Sequence, residues 1–191
     1  MNKIPQHAQC VYKGVLHDVY QWKQRAFDGS SVTYEAIKRK PSVTVIAITA
    51  EGKFVINHEE QSYNGKYVCL PGGIAESENL QKEAARELEE ETGYKSEDWH
   101  FFTKIDVLGY GKMEWESYFF IAYGCSKRGN IKLDPSEKIT VKLYSFDEFI
   151  ALTQGEDFSI EYITQFIKKL LDDPLKMRDF KTDTLRITDD H

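Results

Sequence analysis

Apolar and polar residues alternate along QCVYKGVLHDVYQWKQRAF and again along VTYEAIKR, with the turn signal DGSS between them. Period-two alternation broken by turn residues predicts three strands in a hairpin-rich sheet over the first forty positions. After Pro41 the pattern changes to continuous apolar runs: SVTVIAITA, the turn EGK, and FVINHEE. Such runs predict a buried hairpin. KYVCL predicts a further short strand, halted by Pro71-Gly72-Gly73. A helical period then takes over from about Asn79 to Thr92, with Gly93 placed to close the helix in a left-handed cap. WHFFTKIDVL and SYFFIAYGC predict two strands around the polar loop GYGKMEWE, and KITVKLYS predicts another.

The sequence Ser145-Phe-Asp-Glu148 has the form of a capping box opening a short helix. Ile160, Ile163, Phe166, Ile167, Leu170 and Leu171 recur at helical spacing and predict a longer amphipathic helix, ended by Asp172-Asp173-Pro174. The remainder, residues 175–191, is mostly polar and is expected to form a loose tail. Strands precede, interrupt and follow an acidic helix, so the pattern is mixed α+β rather than alternating βαβ units.

Composition narrows the functional classes. The chain has 191 residues, 41% hydrophobic and 29% charged, enough apolar material for one good core. No apolar run reaches the ~18–20 residues that span a bilayer, and the start lacks an apolar leader segment, so no membrane association is expected. Cys10, Cys69 and Cys125 are widely spaced and form no C-x-x-C pair, which suits reduced thiols and a cytoplasmic location. The net charge of −6 argues against a nucleic-acid partner, which needs a basic face. The five histidines show no ligand spacing, so no zinc site is expected.

The predicted acidic helix carries the chemistry. Between Pro71 and Tyr94 stand seven glutamates, five of them on the helix. On a helical wheel Leu80, Ala84 and Leu88 form the apolar stripe, flanked by Ala85 and Thr92. Glu83, Glu87, Glu90 and Glu91 form a second stripe beside it, and Lys82, Arg86 and Glu89 fall on the outer face. Like charges at i,i+4 destabilise a helix by about 0.2–0.5 kcal/mol per pair, and desolvation at the edge of a buried stripe worsens this. A hard divalent cation reverses the sign. Mg²⁺ prefers carboxylate oxygens and keeps several waters, so two or three carboxylates within one turn suit it. Arg86, four residues before Glu90, is placed to pair with it.

Counted from Gly72, the segment reads G-x5-E-x7-R-E-L-x-E-E-x-G-Y, through Gly72, Glu78, Arg86, Glu87, Leu88, Glu90, Glu91, Gly93 and Tyr94. This resembles the Nudix box at every specified position. Family members usually count from the second glycine of Pro-Gly-Gly, and here the count runs from the first. The resemblance implies an α/β/α sandwich with a mixed central sheet and an N-terminal antiparallel sheet extension. It also implies Mg²⁺- or Mn²⁺-dependent hydrolysis of a small-molecule nucleotide, a nucleoside diphosphate linked to another moiety. Glu87 and Glu91 take the places of the principal metal ligands. Glu90 takes that of a further ligand or base, with a loop carbonyl near Gly72 or Gly73 assisting on the metal or substrate side. Arg86 is the partner that steadies the catalytic carboxylates, and Glu78 positions the loop.

YKGVLHDVYQWKQRAFDGSSVTYEAIKR is similar to the N-terminal sheet of ADP-ribose pyrophosphatases and related nucleoside diphosphate sugar hydrolases. The similarity implies three segments: a strand extension over 1–40 that builds a homodimer and contributes to the nucleotide pocket, a hydrolase domain over 41–174, and the tail. Arg39 falls where that branch has a basic residue near the substrate. Two features depart from the pattern: Glu60-Gln61 is followed by Ser62-Tyr63 rather than by an arginine two positions on, and GYGKMEWE replaces a P-S-P-G loop. Glu114 and Glu116 in that loop are candidates for the general base or an extra metal ligand. Among Tyr20, Trp22, Phe27, Trp99 and Trp115, Trp22 is the candidate for stacking on a nucleobase. Hydrolysis of nucleoside triphosphates or dinucleotides, and a catalytically silent nucleotide sensor, are the alternatives; the intact Glu87, Glu90 and Glu91 favour an enzyme.

Overall fold

The computed structural model describes residues 4–62, 64–106, 112–133 and 135–186. Tyr63 and the first residues of the GYGKMEWE loop lie outside the described residues, as does the end of the predicted tail. Strands β1 (Gln9–Lys13), β2 (His17–Arg25) and β3 (Ser31–Arg39) form the antiparallel meander that the alternation predicts. Trp22 faces Tyr34 across it, the rings stacked at 5.9 Å.

The second sheet has eight strands: β4 (Ser42–Thr49), β5 (Phe54–Gln61), β6 (Gly65–Cys69), β7 (Gly72–Ile74), β8 (Tyr94–Lys95), β9 (Asp98–Asp106), β11 (Glu116–Lys127) and β12 (Glu137–Tyr144). Its path runs β12-β5-β4-β11-β8, with β6 on β5, β7 on β4 and β9 on β11. β4 and β11 pair in parallel and the other ladders are antiparallel, so the sheet is mixed. The two-residue β10 (Met113–Glu114) joins β3 in parallel and extends the first sheet. β7, β8 and β10 are too short to show a period in sequence.

Both faces of the large sheet are covered, which is why β4 reads as a continuous apolar run. Val43, Val45 and Ala47 face one core with Val55, Phe120 and Ala122, and helix α1 (Leu80–Thr92) lays Ala84 and Leu88 against them. Ile46, Ile48, Phe54, Ile56 and Phe119 face the other core. There they meet α2 (Phe146–Leu152) through Phe146 and Phe149, and α3 (Glu161–Leu171) through Ile163, Ile167 and Leu170. The result is the α/β/α sandwich.

Local signals set the helix ends. The Asn79 side chain accepts from the Lys82 N–H, and Gly93, at φ 73°, closes α1 by donating to the Glu89 carbonyl. Ser145 and Glu148 form the reciprocal capping box at α2. The predicted loose tail is instead a fourth helix, α4 (Pro174–Leu185). Asp173 caps it with Pro174 at the first turn, and Met177, Phe180 and Leu185 pack on the α2–α3 core. Only three apolar residues among its twelve supply that contact, too few to stand out in a polar stretch. Among the described residues no helix is long and apolar enough to cross a membrane.

Candidate functional site

The strands and α1 leave a cavity of about 780 Å³ at one end of the sandwich. Helix α1 supplies its acidic wall. Glu83 is buried and is spent on structure: it accepts from the Ser77 hydroxyl at 2.6 Å, the Glu76 N–H at 3.3 Å and the Arg86 Nε at 3.1 Å. The Ser77 hydrogen bond leads in holding its carboxyl below the usual range. Arg86 is not on the outer face, as the wheel suggests. Its guanidinium turns inward, with Nη2 at 2.7 Å from Glu87 Oε1 and Nη1 at 2.7 Å from Glu90 Oε2, and a further bond to the Ile74 carbonyl at 3.3 Å. Burial works against its charge, but the three carboxylates outweigh it and hold the guanidinium above its ordinary value.

Glu91 lies deeper and makes no ion pair among the described residues. Its Oε2 accepts from Asn57 Nδ2 at 2.9 Å and from the Gly72 N–H at 3.0 Å. Burial pushes its carboxyl well above the usual range; the Gly72 N–H opposes, and the charges of Glu87, Glu59 and Glu137 push further. Burial raises Glu87 too, against the pull of Arg86. The Glu87 carboxylate sits where a Gly73 side chain would stand: a Cβ there would lie 2.5 Å from Oε1. Only glycine lets the loop approach so closely.

The opposite wall comes from β5, β6 and β12. On β5, Val55, Asn57, Glu59 and Gln61 share one face, so an apolar stripe becomes polar as it leaves the core. Glu59 is buried and accepts from Gln61 Nε2 at 2.5 Å and from the Cys69 thiol at 3.3 Å. Burial, followed by the Glu59 hydrogen bond and charge, raises the Tyr67 phenol above its ordinary value, and burial with Glu59 does the same to the Cys69 thiol. Glu137, at the start of β12, also lines the cavity. Sequence reasoning passed over Asn57, Glu59 and Glu137. The signal available was the switch from apolar to polar along the inner face of FVINHEEQ.

The structure brings Arg39, Gly72, Gly73, Arg86, Glu87, Glu90 and Glu91 to this cavity. It does not bring Glu114, Glu116 or Trp22 to its lining. Glu114 sits on β10 beside Lys38. Glu116 pairs with Lys104 and accepts from the Tyr118 hydroxyl at 2.9 Å. Trp22 stacks on Tyr34 in the N-terminal sheet. Glu78 is exposed in the turn before α1, its carbonyl accepting from the Leu80 N–H at 3.1 Å. Arg39 lies with its guanidinium 4.0 Å from the centre of the Trp115 ring.

The donor set suits a hard divalent cation. Carboxylate and carbonyl oxygens from α1 and the Gly72–Gly73 loop are its preferred ligands. Arg86 neutralises Glu87 and Glu90, whereas Glu91 has hydrogen-bond donors only. The Oδ1 of the fully buried Asn57, the residue that holds Glu91, has no partner. As the side chains stand, with Arg86 among them, no three acidic, histidine or cysteine side chains converge on one point among the described residues.

The chain is similar to known proteins in sequence and in fold. The chain is 30% identical over 124 residues to the methanol dehydrogenase activator of Bacillus methanolicus, covering 63% of this chain and 66% of that protein. It is 30% identical over 100 residues to the ADP-ribose pyrophosphatase of Bacillus subtilis (strain 168), covering 51% of this chain and 52% of that one. It thus spans just under two thirds of the first relative and about half of the second. The fold matches that in a crystal structure of an ADP compounds hydrolase with a TM-score of 0.67 and 16% identity, over 87% of this chain and 91% of the other. The model of the NUDIX domain matches residues 38–166, which include every acidic residue of the cavity wall. With two thirds of its length and its whole acidic corner inside that match, the chain belongs to the Nudix family.

Proposed function

We propose that the chain hydrolyses the diphosphate linkage of ADP-ribose or a related nucleoside diphosphate sugar in a Mg²⁺-dependent reaction, giving a nucleoside monophosphate and a sugar phosphate. The observation that carries this reading is the cavity's division of charge. One wall holds Glu87 and Glu91 half-buried, and the rim holds Arg39; among the described residues neither Glu91 nor Arg39 has an ion pair. A diphosphate bridge needs both a cation held by carboxylates and a positive group for its remaining oxygens. The names of the second relative and of the structural neighbour support the substrate class.

In this reading Glu87, Glu91 and carbonyls of the Gly72–Gly73 loop hold Mg²⁺ or Mn²⁺, with Glu90 as a further ligand. When bound, such a cation neutralises phosphoryl oxygens and acidifies a water. The water oxygen attacks one phosphorus, the bond to the bridging oxygen breaks, and a carboxylate accepts the water proton. Glu137 is the better placed base, because it lines the cavity on the wall facing Glu87 and Glu91. Glu114 and Glu116 lie outside the lining. Arg39 takes a phosphoryl oxygen, and the exposed N-terminal sheet pairs with that of a second copy.

The test is a panel of nucleotide sugars, dinucleotides and nucleoside triphosphates with Mg²⁺, read as phosphate release after phosphatase coupling. ADP-ribose or another nucleotide sugar is expected to be cleaved, and a chelator to abolish the signal. Glu87→Gln is expected to lower kcat by about 100-fold or more, as loss of a catalytic cation's ligand does, with the fold kept. Cleavage of triphosphates alone would overturn the substrate assignment.

A further inference from the structure

We infer that Trp115 is a positioning residue for the substrate's phosphoryl group, acting through Arg39; this rests on the diphosphate reading above. Three cationic side chains line the cavity: Arg39, Arg86 and Lys132. Arg86 is committed to Glu83, Glu87 and Glu90. Arg39 shares the cavity with Glu59, Glu76, Glu87, Glu90, Glu91 and Glu137, yet it makes no ion pair among the described residues. Its Nε is buried without a hydrogen-bond partner. A buried guanidinium nitrogen left unmatched is costly unless something else completes it. Its guanidinium carbon instead lies over the face of Trp115, 4.0 Å from the ring centre.

Trp115 is itself tied down. Its Nε1 donates to the Ser42 hydroxyl at 3.2 Å, and that hydroxyl donates to Ser117 Oγ at 2.9 Å. Ser42 and Ser117 are register partners in the parallel β4–β11 ladder at the centre of the large sheet. Arg39 ends β3 and Trp115 stands between β10 and β11, so the pair bridges the two sheets at the cavity rim. A free arginine samples many rotamers, and stacking on a fixed ring keeps its plane in one. The ring covers a face of the guanidinium and leaves its edge donors for a phosphate, which takes two parallel N–H bonds from such a fork. The cation held by the carboxylates neutralises part of the diphosphate; Arg39 serves oxygens beyond it.

The test uses the full chain and two readouts. One is calorimetric binding of ADP with Ca²⁺ in place of Mg²⁺. The other is steady-state hydrolysis of ADP-ribose with Mg²⁺. Trp115→Leu is expected to weaken ADP binding and raise KM by about tenfold, with kcat within about twofold. Trp115→Phe, which keeps a ring but loses the tie to Ser42, is expected to fall between. Because the effect runs through Arg39, Trp115→Leu in an Arg39→Gln background should add nothing. Additive losses, an unchanged ADP affinity in Trp115→Leu, or a fall in kcat at constant KM would overturn the role. If ADP binding behaves as expected but no nucleotide sugar is cleaved, the substrate assignment fails and the positioning role stands. If the parent chain binds no ADP, both fall.

Discussion

Four glutamates on two turns of one helix end in four different states. Glu83 is buried but satisfied by Ser77, Glu76 N–H and Arg86. Glu90 is half-exposed and paired with Arg86. Glu87 is drawn up by burial against Arg86, and Glu91 is drawn further up with no cation beside it. The difference lies in what each faces: the loop, solvent, the Gly72–Gly73 strand or buried Asn57. Gly73 gives a clean way to disturb one of these alone. Its backbone lies outside the left-handed region, so alanine fits the chain there. The added methyl would meet only the Glu87 carboxylate among its nearest neighbours, at 2.5–2.8 Å. At Gly72 the same methyl would meet the Val43 backbone instead. Gly73→Ala is therefore expected to weaken Mn²⁺ binding, measured by titration of the ion's paramagnetic signal, by about tenfold, the cost of moving a metal ligand. Its melting temperature without metal should stay near that of the parent. Unchanged Mn²⁺ affinity would remove Glu87 from the metal set.

At the scale of elements, what the sequence shows depends on where an element's stabilisation comes from. Helix α1 is legible because its signals are local: Asn79 at one end, Gly93 at the other, and Leu80, Ala84 and Leu88 between. The capping box of α2 and the stripe of α3 are legible for the same reason. The acidic half of the site came with α1, since spacing on a helix is spacing in space. The other half did not. Glu59, Glu137 and Trp115 reach the cavity through strand pairings such as Gln61↔Glu137, which join residues far apart in the chain. Helix α4 was hidden similarly, because Phe180 is held by Phe146 and Phe166, whose rings lie 5.9 and 5.4 Å from its own. Arg186 finishes that docking by pairing with Asp98 and lying 3.5 Å from the Tyr123 ring centre. Phe180→Ala is expected to cost about 2 kcal/mol, below the range for a fully buried phenylalanine because Phe180 is only partly buried. Chemical denaturation would measure it, and KM should not move. A loss under about 0.5 kcal/mol, the scale of surface changes, would mean that α4 is not held by this core.

For the whole molecule, the two sheets are finished to different degrees. The large sheet has helices on both faces. The N-terminal sheet exposes Val11, Tyr12, Val15, Val32 and Tyr34, and β1 lies at its edge. An apolar, open-edged sheet is a template for another copy. The alternation sorts its sides. Tyr20, Trp22, Val32, Tyr34 and Ala36 share one face, whereas Gln21 binds Glu35 and Lys23 binds Thr33 on the other. A twofold pairing through the aromatic face would cover the Trp22–Tyr34 stack and leave the polar face to solvent. Arg39 stands at the end of the same strand and lines the cavity, so such pairing would also stiffen the rim that holds it. Light scattering on the full chain is expected to give twice the 22.2 kDa chain mass. Tyr34→Glu, which places a charge at the centre of that face, should give the monomer at micromolar concentration, because an unpaired buried charge costs several kcal/mol. In that variant ADP-ribose KM should rise while Mn²⁺ affinity holds, since the carboxylates sit on α1, outside the N-terminal sheet. A parent chain that runs as a monomer would leave the aromatic face without this partner, and a Tyr34→Glu dimer would place the interface elsewhere.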